Sequence, residues 1–304
     1  MAARATRSAS RRTRVAEAVA TGPLGALSHD ELGVIVDGLA DPLQPVVAVA
    51  LSSTCLGLRT PLQEALKVLK ERHARAVALC RKVILSCAKL RTAKNLTWFG
   101  GPCRKSLTAN DMATLGMLLS KWLPKLQGLY IRENGLIGDA GMQALCNNLD
   151  RGTATSLREL DLTGAEFGPV GAEALAAALG RGTMPKLEVM ALSLNAFGSR
   201  GASALAIPVR KSLTLKELYL SKCKLGDEGV ASLVANLGKD DFKALEIIHL
   251  DFNCLTGQSR DMLICAIREG AMPAAEDVHL YEYDADDEEN EAVEQALDAR
   301  RANE

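Results

Sequence analysis

From Leu126 to about Leu280 the apolar positions recur at a nearly constant interval. Each block has apolar residues at positions 1, 4 and 6, a polar turn, a further apolar residue at position 11, and a small-residue segment with helical spacing. The blocks begin at Leu126, Leu157, Leu187, Leu215, Leu245 and Ala275, at spacings of 31, 30, 28, 30 and 30 residues. A fixed period of this length predicts a solenoid of stacked units.

The fourth block illustrates how one unit forms. Leu218 and Leu220, at positions 4 and 6, alternate as in a strand, so both face one side. Position 9 is a small polar residue that can hydrogen-bond the backbone of a buried turn, which otherwise lacks partners. The position 9 residues are Asn134, Asn195, Cys223 and Asn253. Position 11 returns the chain over the apolar face, and its residues are Leu136, Phe167, Phe197, Leu225 and Leu255.

A glycine pair opens the helical part of each of the first four blocks. The turns span 138–141, 168–171, 198–201 and 226–229. The segments after them, such as 172–179 and 230–237, carry Ala and Leu at three- and four-residue steps, which predicts helices with an apolar stripe. One strand and one helix cannot bury this surface alone, so we expect the units to stack into a parallel sheet with the helices on its other side.

These blocks resemble the ribonuclease-inhibitor type of leucine-rich repeat, whose units use a full α-helix. The resemblance covers residues 93–280 and implies a binding scaffold. Leu136 and Ile137 add one residue to the first block, Ala165 replaces asparagine in the second, and the sixth passes into acidic sequence after Leu280.

A degenerate repeat, here called the worn unit, precedes the six clear blocks. Leu96 and Trp98 predict its strand, and a helix capped at Asn110-Asp111 and running to Trp122 is expected after it. The predicted fold class is therefore α/β: a leucine-rich repeat solenoid of six or seven units, with parallel strands on the concave side and helices on the convex side. A small all-α segment precedes it.

Residues 23–60 have a helical pattern of their own. Ser28 and Glu31 form a capping box, apolar residues follow to Leu39, Asp41-Pro42 ends the helix, and a second apolar helix runs to Cys55. Two or three short helices form a core too small to be stable alone. We therefore expect this segment to dock on something.

The segment resembles an F-box, the helical motif that ties substrate receptors to the adaptor of cullin–RING ubiquitin ligases. The matching residues are Leu27, Asp30, Glu31, Leu32, Ile35, Leu39, Asp41, Pro42 and the ending at 53–55. The sequence departs at Ser28, where the family has proline, and at 56–58, where it has an aromatic residue. The resemblance implies that Leu27, Leu32, Ile35, Leu39 and Pro42 contact the ligase adaptor. The alternative is a helical cap that seals the first repeat.

Charge is uneven along the chain, although its net value is −1. Residues 1–22 are an arginine-rich segment expected to be disordered, and a plain tail, an organelle transit peptide and a nuclear-import or phosphate-contacting arm all remain open. Residues 61–92 are a basic helical connector, which we interpret as a solvated helix face. Residues 281–304 are an acidic tail or cap that ends the stack or serves as an interaction tail.

Composition excludes several classes of protein. No apolar run approaches the ~20 residues needed to span a bilayer, so we expect a soluble protein of the cytoplasm or nucleus that does not bind membrane. Eight cysteines without a CxxC pair predict single buried thiols in a reducing compartment. The chain has no GxxxxGK[ST], GxSxG or HExxH motif. We therefore expect a non-enzyme without cofactor or metal, monomeric on its own, that binds protein rather than nucleic acid.

The partner is expected on the concave face, at positions 5, 7 and 8 of the strands. The candidate binding residues are Tyr130, Arg132, Asp161, Tyr219, Lys222, His249, Asp251, Phe252, His279 and Tyr281. Aromatic and ionisable groups are denser in the C-terminal half, which is typical of interface anchors and predicts the ligand face there. His249 and His279 fall side by side on adjacent strands, about 4.8 Å apart at their Cα atoms. With Asp251 they could bind a metal, but we interpret them as surface histidines.

Two functions of different classes fit this layout. The first is an F-box-like substrate-recognition adaptor of a cullin–RING ubiquitin ligase. The alternative is a leucine-rich repeat regulator of a small GTPase, because repeats followed by an acidic tail also resemble the Ran GTPase-activating protein, although the N-terminal loop of that family has no match in this sequence. A non-catalytic scaffold subunit is the third possibility.

Overall fold

The computed structural model describes residues 29–54, 63–101, 106–234, 237, 241–282 and 287–302. The chain divides into two compact units, Met1–Arg81 with Leu85–Ala88 and Lys82–Ile84 with Lys89–Glu304. The basic segment 1–22, Leu27 and Cys55 lie outside the described residues.

Before the first strand, the described residues form four helices, α1 (His29–Leu39), α2 (Val46–Thr54), α3 (Gln63–Lys82) and α4 (Cys87–Thr92). The predicted break at Asp41-Pro42 is confirmed, since Asp41 Oδ1 accepts a hydrogen bond from the Leu43 backbone N–H at 2.8 Å between α1 and α2. The core of the first unit contains Leu32, Ala40, Ala48 and Leu69.

The second unit is a solenoid built on one parallel sheet. Its strands are β1 (Asn95–Phe99), β2 (Gly128–Arg132), β3 (Glu159–Asp161), β4 (Val189–Ala191), β5 (Glu217–Tyr219), β6 (Ile247–His249) and β7 (Asp277–His279). A helix follows each strand: α5 (Ala109–Lys121), α6 (Gly138–Cys146), α7 (Pro169–Gly180), α8 (Gly198–Arg210), α9 (Gly226–Val234), α10 (Gly257–Arg268) and α11 (Asp287–Arg301). The strands pair in sequence order, all parallel. The predicted α/β solenoid is confirmed, with the worn unit supplying β1.

The apolar pattern forms the core of the solenoid. All side chains at positions 1, 4 and 6 of the six clear blocks are buried. Leu96 and Trp98 of β1 are buried in the same way, and Trp98 pairs in register with Ile131 of β2. The worn unit therefore contributes a full layer to the core.

The buried position 9 residues satisfy the backbone of the turns after the strands. Asn195 accepts from the Phe167 N–H at 3.3 Å and donates to the Leu162 and Leu192 carbonyls at 2.9 and 2.8 Å. Cys223 takes the same position and donates its thiol to the Leu192 carbonyl at 3.3 Å. Burial raises the pKa of this thiol to about 12, so it keeps the proton that it donates. The predicted role of position 9 is confirmed.

One position 11 residue was predicted wrongly. Leu136 is 68% exposed, whereas Ile137 is 1% exposed and takes the buried place. The extra residue in the first block moves the apolar position one step along the chain. In the next two blocks, Phe167 and Phe197 are buried, and their rings stack at 5.8 Å between centroids.

The second glycine of each GxxG turn lies against the position 11 side chain. A Cβ at Gly171 would approach Phe167 Cβ at 2.8 Å, and one at Gly201 would approach Phe197 Cβ at 2.7 Å. Only glycine therefore leaves room for the large apolar residue that closes the unit.

Helix α5 begins differently from the prediction. Its N-cap is Thr108, and Asp111 stands at the third helical position, where it accepts from the Thr108 N–H at 2.8 Å and the Thr108 hydroxyl at 2.7 Å. Lys82 also donates to this carboxylate at 2.5 Å. The capping box of threonine and aspartate, rather than an Asn110-Asp111 cap, therefore starts the helix.

The acidic C-terminal stretch contains a helix. In α11, Val293, Ala296 and Leu297 are buried, and Arg300 donates to the carbonyls of Met272, at 2.7 Å, and Ala275. The apolar stripe of α11 thus packs on the last repeat and covers the end of the solenoid.

The cysteine prediction holds only in part among the described residues. Cys80, Cys146 and Cys223 are buried free thiols, but Cys254 and Cys265 are exposed. Cys254 follows the buried Asn253 at position 10, with a φ of 60°, and is exposed there. Across the same part of the chain, no helix is both long and apolar enough to cross a bilayer.

Candidate functional site

The predicted position 5 column lies on the concave face, the side of the sheet away from the helices. Strand register places its six residues next to one another, in the order Tyr130, Asp161, Ala191, Tyr219, His249 and His279. They face this side because the residues before and after them, at positions 4 and 6, are buried beneath the sheet.

Four rings on strands β5 to β7 and just after β7 form what we call the ring stack: Tyr219, His249, His279 and Tyr281. The Tyr219 and His249 rings stack at 4.7 Å between centroids, and the two histidine rings at 4.1 Å with an interplanar angle of 8°. Tyr281 adds a tilted ring at 5.9 Å from His279. The C-terminal aromatic residues therefore pack mainly on one another.

Carboxylates lie beside the ring stack. His249 Nδ1 lies 3.4 Å from Asp251 Oδ2, and His279 Nε2 lies 2.8 Å from Asp277 Oδ2. Asp251 also accepts from the Tyr281 backbone N–H at 3.0 Å. The histidine rings lie face to face, and within the described residues no group of three or more His, Cys, Asp or Glu side chains is arranged to hold a metal ion.

A cavity of about 480 Å³, here called the basin, opens on the concave face between β1 and β5. Its floor is formed by small or short residues of β3 and β4 and the turns after them, Asp161, Thr163, Ala191 and Ser193. Larger side chains line it at its two ends, including Phe99, Tyr130 and Arg132 at one end and Glu217 and Tyr219 at the other. The basin exists because the middle strands carry small groups where their neighbours carry rings.

Each basin tyrosine donates to a glutamate at position 3. Tyr130 donates to Glu159, and Tyr219 donates to Glu217 at 2.6 Å. The hydrogen bond to Glu159 and then burial raise the pKa of Tyr130 to about 12. Burial and then the hydrogen bond to Glu217 raise the pKa of Tyr219 to about 12. Both phenols therefore stay neutral near pH 7.

Arg132, the one arginine among the described residues that line the basin, is already paired. Arg132 Nε donates to Asp161 Oδ2 at 2.5 Å, and its guanidinium lies 5.6 Å from the centre of the Phe99 ring. Asp161 itself is buried and pairs with Arg132, and its predicted contact with a partner stays a prediction. With Glu133, Glu159 and Glu217, the described residues of the basin supply four carboxylates and one guanidinium, an excess of three negative charges.

The structure therefore divides the ten predicted binding residues. Tyr130, Arg132, Asp161 and Tyr219 line the basin, and Tyr219 also begins the ring stack, which continues with His249, His279 and Tyr281 and has Asp251 beside it. Lys222 and Phe252 pair with each other in the turns, with 5.0 Å between the Lys222 Nζ atom and the ring centre. The prediction that the C-terminal half is the ligand face stays a prediction, but the cavity itself lies between β1 and β5.

Glu159, Glu217 and Phe99 were not among the predicted residues. Positions 3, 5 and 7 have the same parity along a strand, so the two-residue alternation that gave Tyr130 and Arg132 also places Glu159 and Glu217 on the concave face. Phe99 pairs in register with Arg132 and belongs to the worn unit. The same alternation, applied to position 3 and to β1, would have found all three.

The predicted contact residues of the F-box-like segment differ in their exposure to solvent. Leu32 and Pro42 are buried, Ile35 is half-buried, and Leu39 is 36% exposed. The exposed apolar side chains of this segment also include Val34, Val46, Val47 and Val49, three of them on α2. These valines were not among the predicted contact residues.

Strand order and repeat spacing thus define a leucine-rich repeat solenoid, and the comparisons with known proteins agree at the level of single repeats. The family profile described as "Leucine Rich repeat" matches residues 123–146, 153–176, 183–206 and 211–234. Such repeats indicate a protein-interaction scaffold. A comparison with curated protein sequences gives no match.

Among solved structures, the chain is similar to one described as "Crystal structure of Rad7 and Elc1 complex in yeast". The identity is 15% and the TM-score 0.36, with 90% of this chain and 73% of that chain covered. A similarity of this size supports no conclusion about fold or function, and the fold rests on the strand order and repeats given above.

Proposed function

We propose that the chain is a substrate-recognition adaptor of a cullin–RING ubiquitin ligase. In this proposal the first unit docks on the adaptor subunit of the ligase through α2, and the concave face of the repeats holds the substrate. The observation that carries the proposal is the apolar surface of α2 that faces solvent.

Helix α2 begins with apolar residues that are largely exposed. Val46, Val47 and Val49 are 68%, 50% and 43% exposed, whereas Ala48 is fully buried in the small core. Exposed apolar side chains this close together along one helix suit a protein interaction site. A core as small as that of the first unit also gains stability when a partner covers such a surface.

The F-box-like residues then have two different roles. Leu32 and Pro42 are buried, so they support the fold of the first unit, and their loss affects docking indirectly. Leu39 and the half-buried Ile35 are accessible enough to border the docking surface. A variant of Leu32 would unfold the segment, and the decisive substitutions belong on the exposed valines.

The test is a binding titration between the purified full-length chain and the purified ligase adaptor, with the variant Val46→Asp/Val47→Asp. Both positions lie in the first turn of α2, where the negative charge of aspartate interacts favourably with the helix dipole. The substitutions therefore leave the helix formed. The matched control is Ile207→Asp/Leu213→Asp, which makes the same change at two exposed apolar positions of the repeats.

We expect wild type and control to bind the adaptor equally, and the α2 variant to lose at least about tenfold in affinity, since buried apolar contacts would be replaced by charge. Absence of binding by the wild-type chain, or equal binding by the α2 variant, would contradict the proposal.

A further inference from the structure

We propose that the basin binds an arginine side chain carried on an extended segment of a partner protein. This inference deepens the proposed function, because it names the chemistry of the segment that the concave face holds. It rests on that function only in taking the concave face as the substrate site. Docking of the first unit plays no part in it.

The first argument is charge. Within the part of the chain that the structure describes, four carboxylates and one guanidinium line the basin, and the guanidinium already pairs with Asp161 and lies over Phe99. A ligand in the basin therefore meets the remaining carboxylates of Glu133, Glu159 and Glu217. Such a field attracts a cation and repels phosphate or an acidic peptide.

The second argument is hydrogen bonding. Glu159 and Glu217 each accept one hydrogen bond from a tyrosine hydroxyl, through one carboxylate oxygen. A carboxylate has about four lone-pair sites, so both glutamates keep acceptor capacity toward the cavity. The phenols hold the carboxylates in place on opposite sides of the basin. A guanidinium, with five N–H donors in a planar fork, suits such oriented acceptors better than the point charge of lysine.

The third argument is shape. Tyr130 on β2 and Tyr219 on β5 are separated by three strand spacings, about 14 Å. Between them the side chains are small, so the cleft has room for one extended chain with its side chains directed at the floor. The aromatic rings offer faces on which a guanidinium stacks.

Gly128 contributes to this geometry. The Tyr130 ring folds back along its own strand, and a Cβ at Gly128 would lie 2.6 Å from a ring carbon and 2.7 Å from the phenol oxygen. A larger residue would push the ring out of line with Glu159. The glycine thus allows the phenol to lie low at the edge of the basin instead of covering it.

The test uses the purified full-length chain and a short fluorescently labelled peptide with alternating arginine and serine. Comparison peptides replace every arginine by lysine, glutamine or glutamate, and binding is followed by fluorescence anisotropy. The basin variant is Glu159→Gln/Glu217→Gln, which keeps an oxygen to accept each tyrosine hydrogen bond and removes both charges. The control Glu173→Gln/Glu228→Gln makes the same change in net charge on helices α7 and α9.

We expect the arginine peptide to bind wild type at least about tenfold more tightly than the glutamine peptide, with lysine between them and no binding of glutamate. The basin variant should lose this preference, while the control stays within about twofold of wild type because its charges are on the other side of the sheet. Circular dichroism melts of all three proteins verify folding.

Several outcomes would overturn the inference. Arginine and glutamine peptides could bind equally, or the control could lose as much affinity as the basin variant, which would reduce the effect to net charge. The wild-type chain could also self-associate without binding the peptides, and the substitutions Glu159→Gln/Glu217→Gln could abolish that self-association. This result would identify a second copy of the chain as the occupant of the basin. No ligase component is present in this assay, so its result is independent of whether α2 docks on the adaptor.

Discussion

Buried asparagines connect neighbouring units of the solenoid residue by residue. Asn253 accepts from the Cys223 and Leu225 N–H groups at 2.8 and 3.3 Å and donates to the Leu220 and Leu250 carbonyls at 2.8 and 2.7 Å. Three of these four partners belong to the preceding unit. One side chain therefore satisfies backbone groups of two turns that have no access to water.

Replacing Asn253 by alanine should lower the free energy of unfolding of the repeats by about 3 kcal/mol, because several buried backbone groups lose their partners at once. Urea titration followed by circular dichroism gives the value. The control is the exposed neighbour, Cys254→Ala, which should stay within about 0.5 kcal/mol of wild type. Equal losses in the two variants would show that the asparagine hydrogen bonds do not stabilise the stack.

Sequence periodicity predicts that each repeat has a buried apolar residue more reliably than it predicts which residue that is. The apolar residue at position 11 was assigned to Leu136, but the inserted residue gives that place to Ile137. The stacking of His249 on His279 follows from their shared column, whereas the pairing of each ring with an aspartate depends on rotamers that no spacing encodes. Glu159 and Glu217 were recoverable from strand parity alone.

At the scale of single elements, helix starts are fixed by side chains from neighbouring units. Asp139 in α6 accepts from the Gly168 and Gly171 N–H groups at 2.8 and 2.7 Å, at the start of α7. Asp227 in α9 does the same for α10, through the Thr256 N–H at 2.9 Å and the Thr256 hydroxyl at 2.7 Å. A carboxylate thus neutralises the positive end of the next helix along the stack.

The Asp111 carboxylate at the start of α5 should make the free energy of unfolding depend on pH. Burial would raise the pKa of Asp111, but the hydrogen bonds from Lys82 and Thr108 outweigh it and hold the pKa below its usual value. A carboxyl with a lowered folded-state pKa stabilises the protein above its unfolded pKa. That contribution is lost as the pH falls through the folded-state pKa.

We therefore expect Asp111→Asn to be less stable than wild type by about 1–2 kcal/mol near pH 7, in line with loss of a helix cap. The difference should shrink as the pH falls below the usual aspartate range, about pH 4. Urea titrations at a series of pH values measure it, with the exposed Asp261→Asn as control. A difference that stays constant down to the acid limit would contradict the role assigned to the carboxylate.

Element types were predictable where the period was strong. The six clear blocks and the strand at Leu96 and Trp98 were all found, because burial at positions 4 and 6 needs only alternation. The start of α5 at Thr108 was missed, since Asn110 and Asp111 are also good capping residues and only the Lys82 ion pair and the backbone contacts distinguish them. Caps depend on three-dimensional neighbours as well as on local sequence.

At the scale of the whole molecule, the chain presents two surfaces with different chemistry. The surface of α2 is apolar and exposed, and the basin on the concave face of the repeats is acidic and aromatic. The resemblance to an F-box and to leucine-rich repeats predicted a helical segment followed by a solenoid, but not the exposed valines of α2. The position of the basin was not predictable, because it depends on small residues of β3 and β4 lying between Tyr130 of β2 and Tyr219 of β5.

The most direct test of the account is affinity capture from native cell extract with three tagged full-length proteins: wild type, Val46→Asp/Val47→Asp and Glu159→Gln/Glu217→Gln. The account predicts that a cullin and its adaptor are captured by wild type and by the basin variant, and are lost with the α2 variant. Other partners, the candidate substrates, should be lost with the basin variant and kept with the α2 variant. Capture of the same proteins by all three, or of no cullin by wild type, would contradict it.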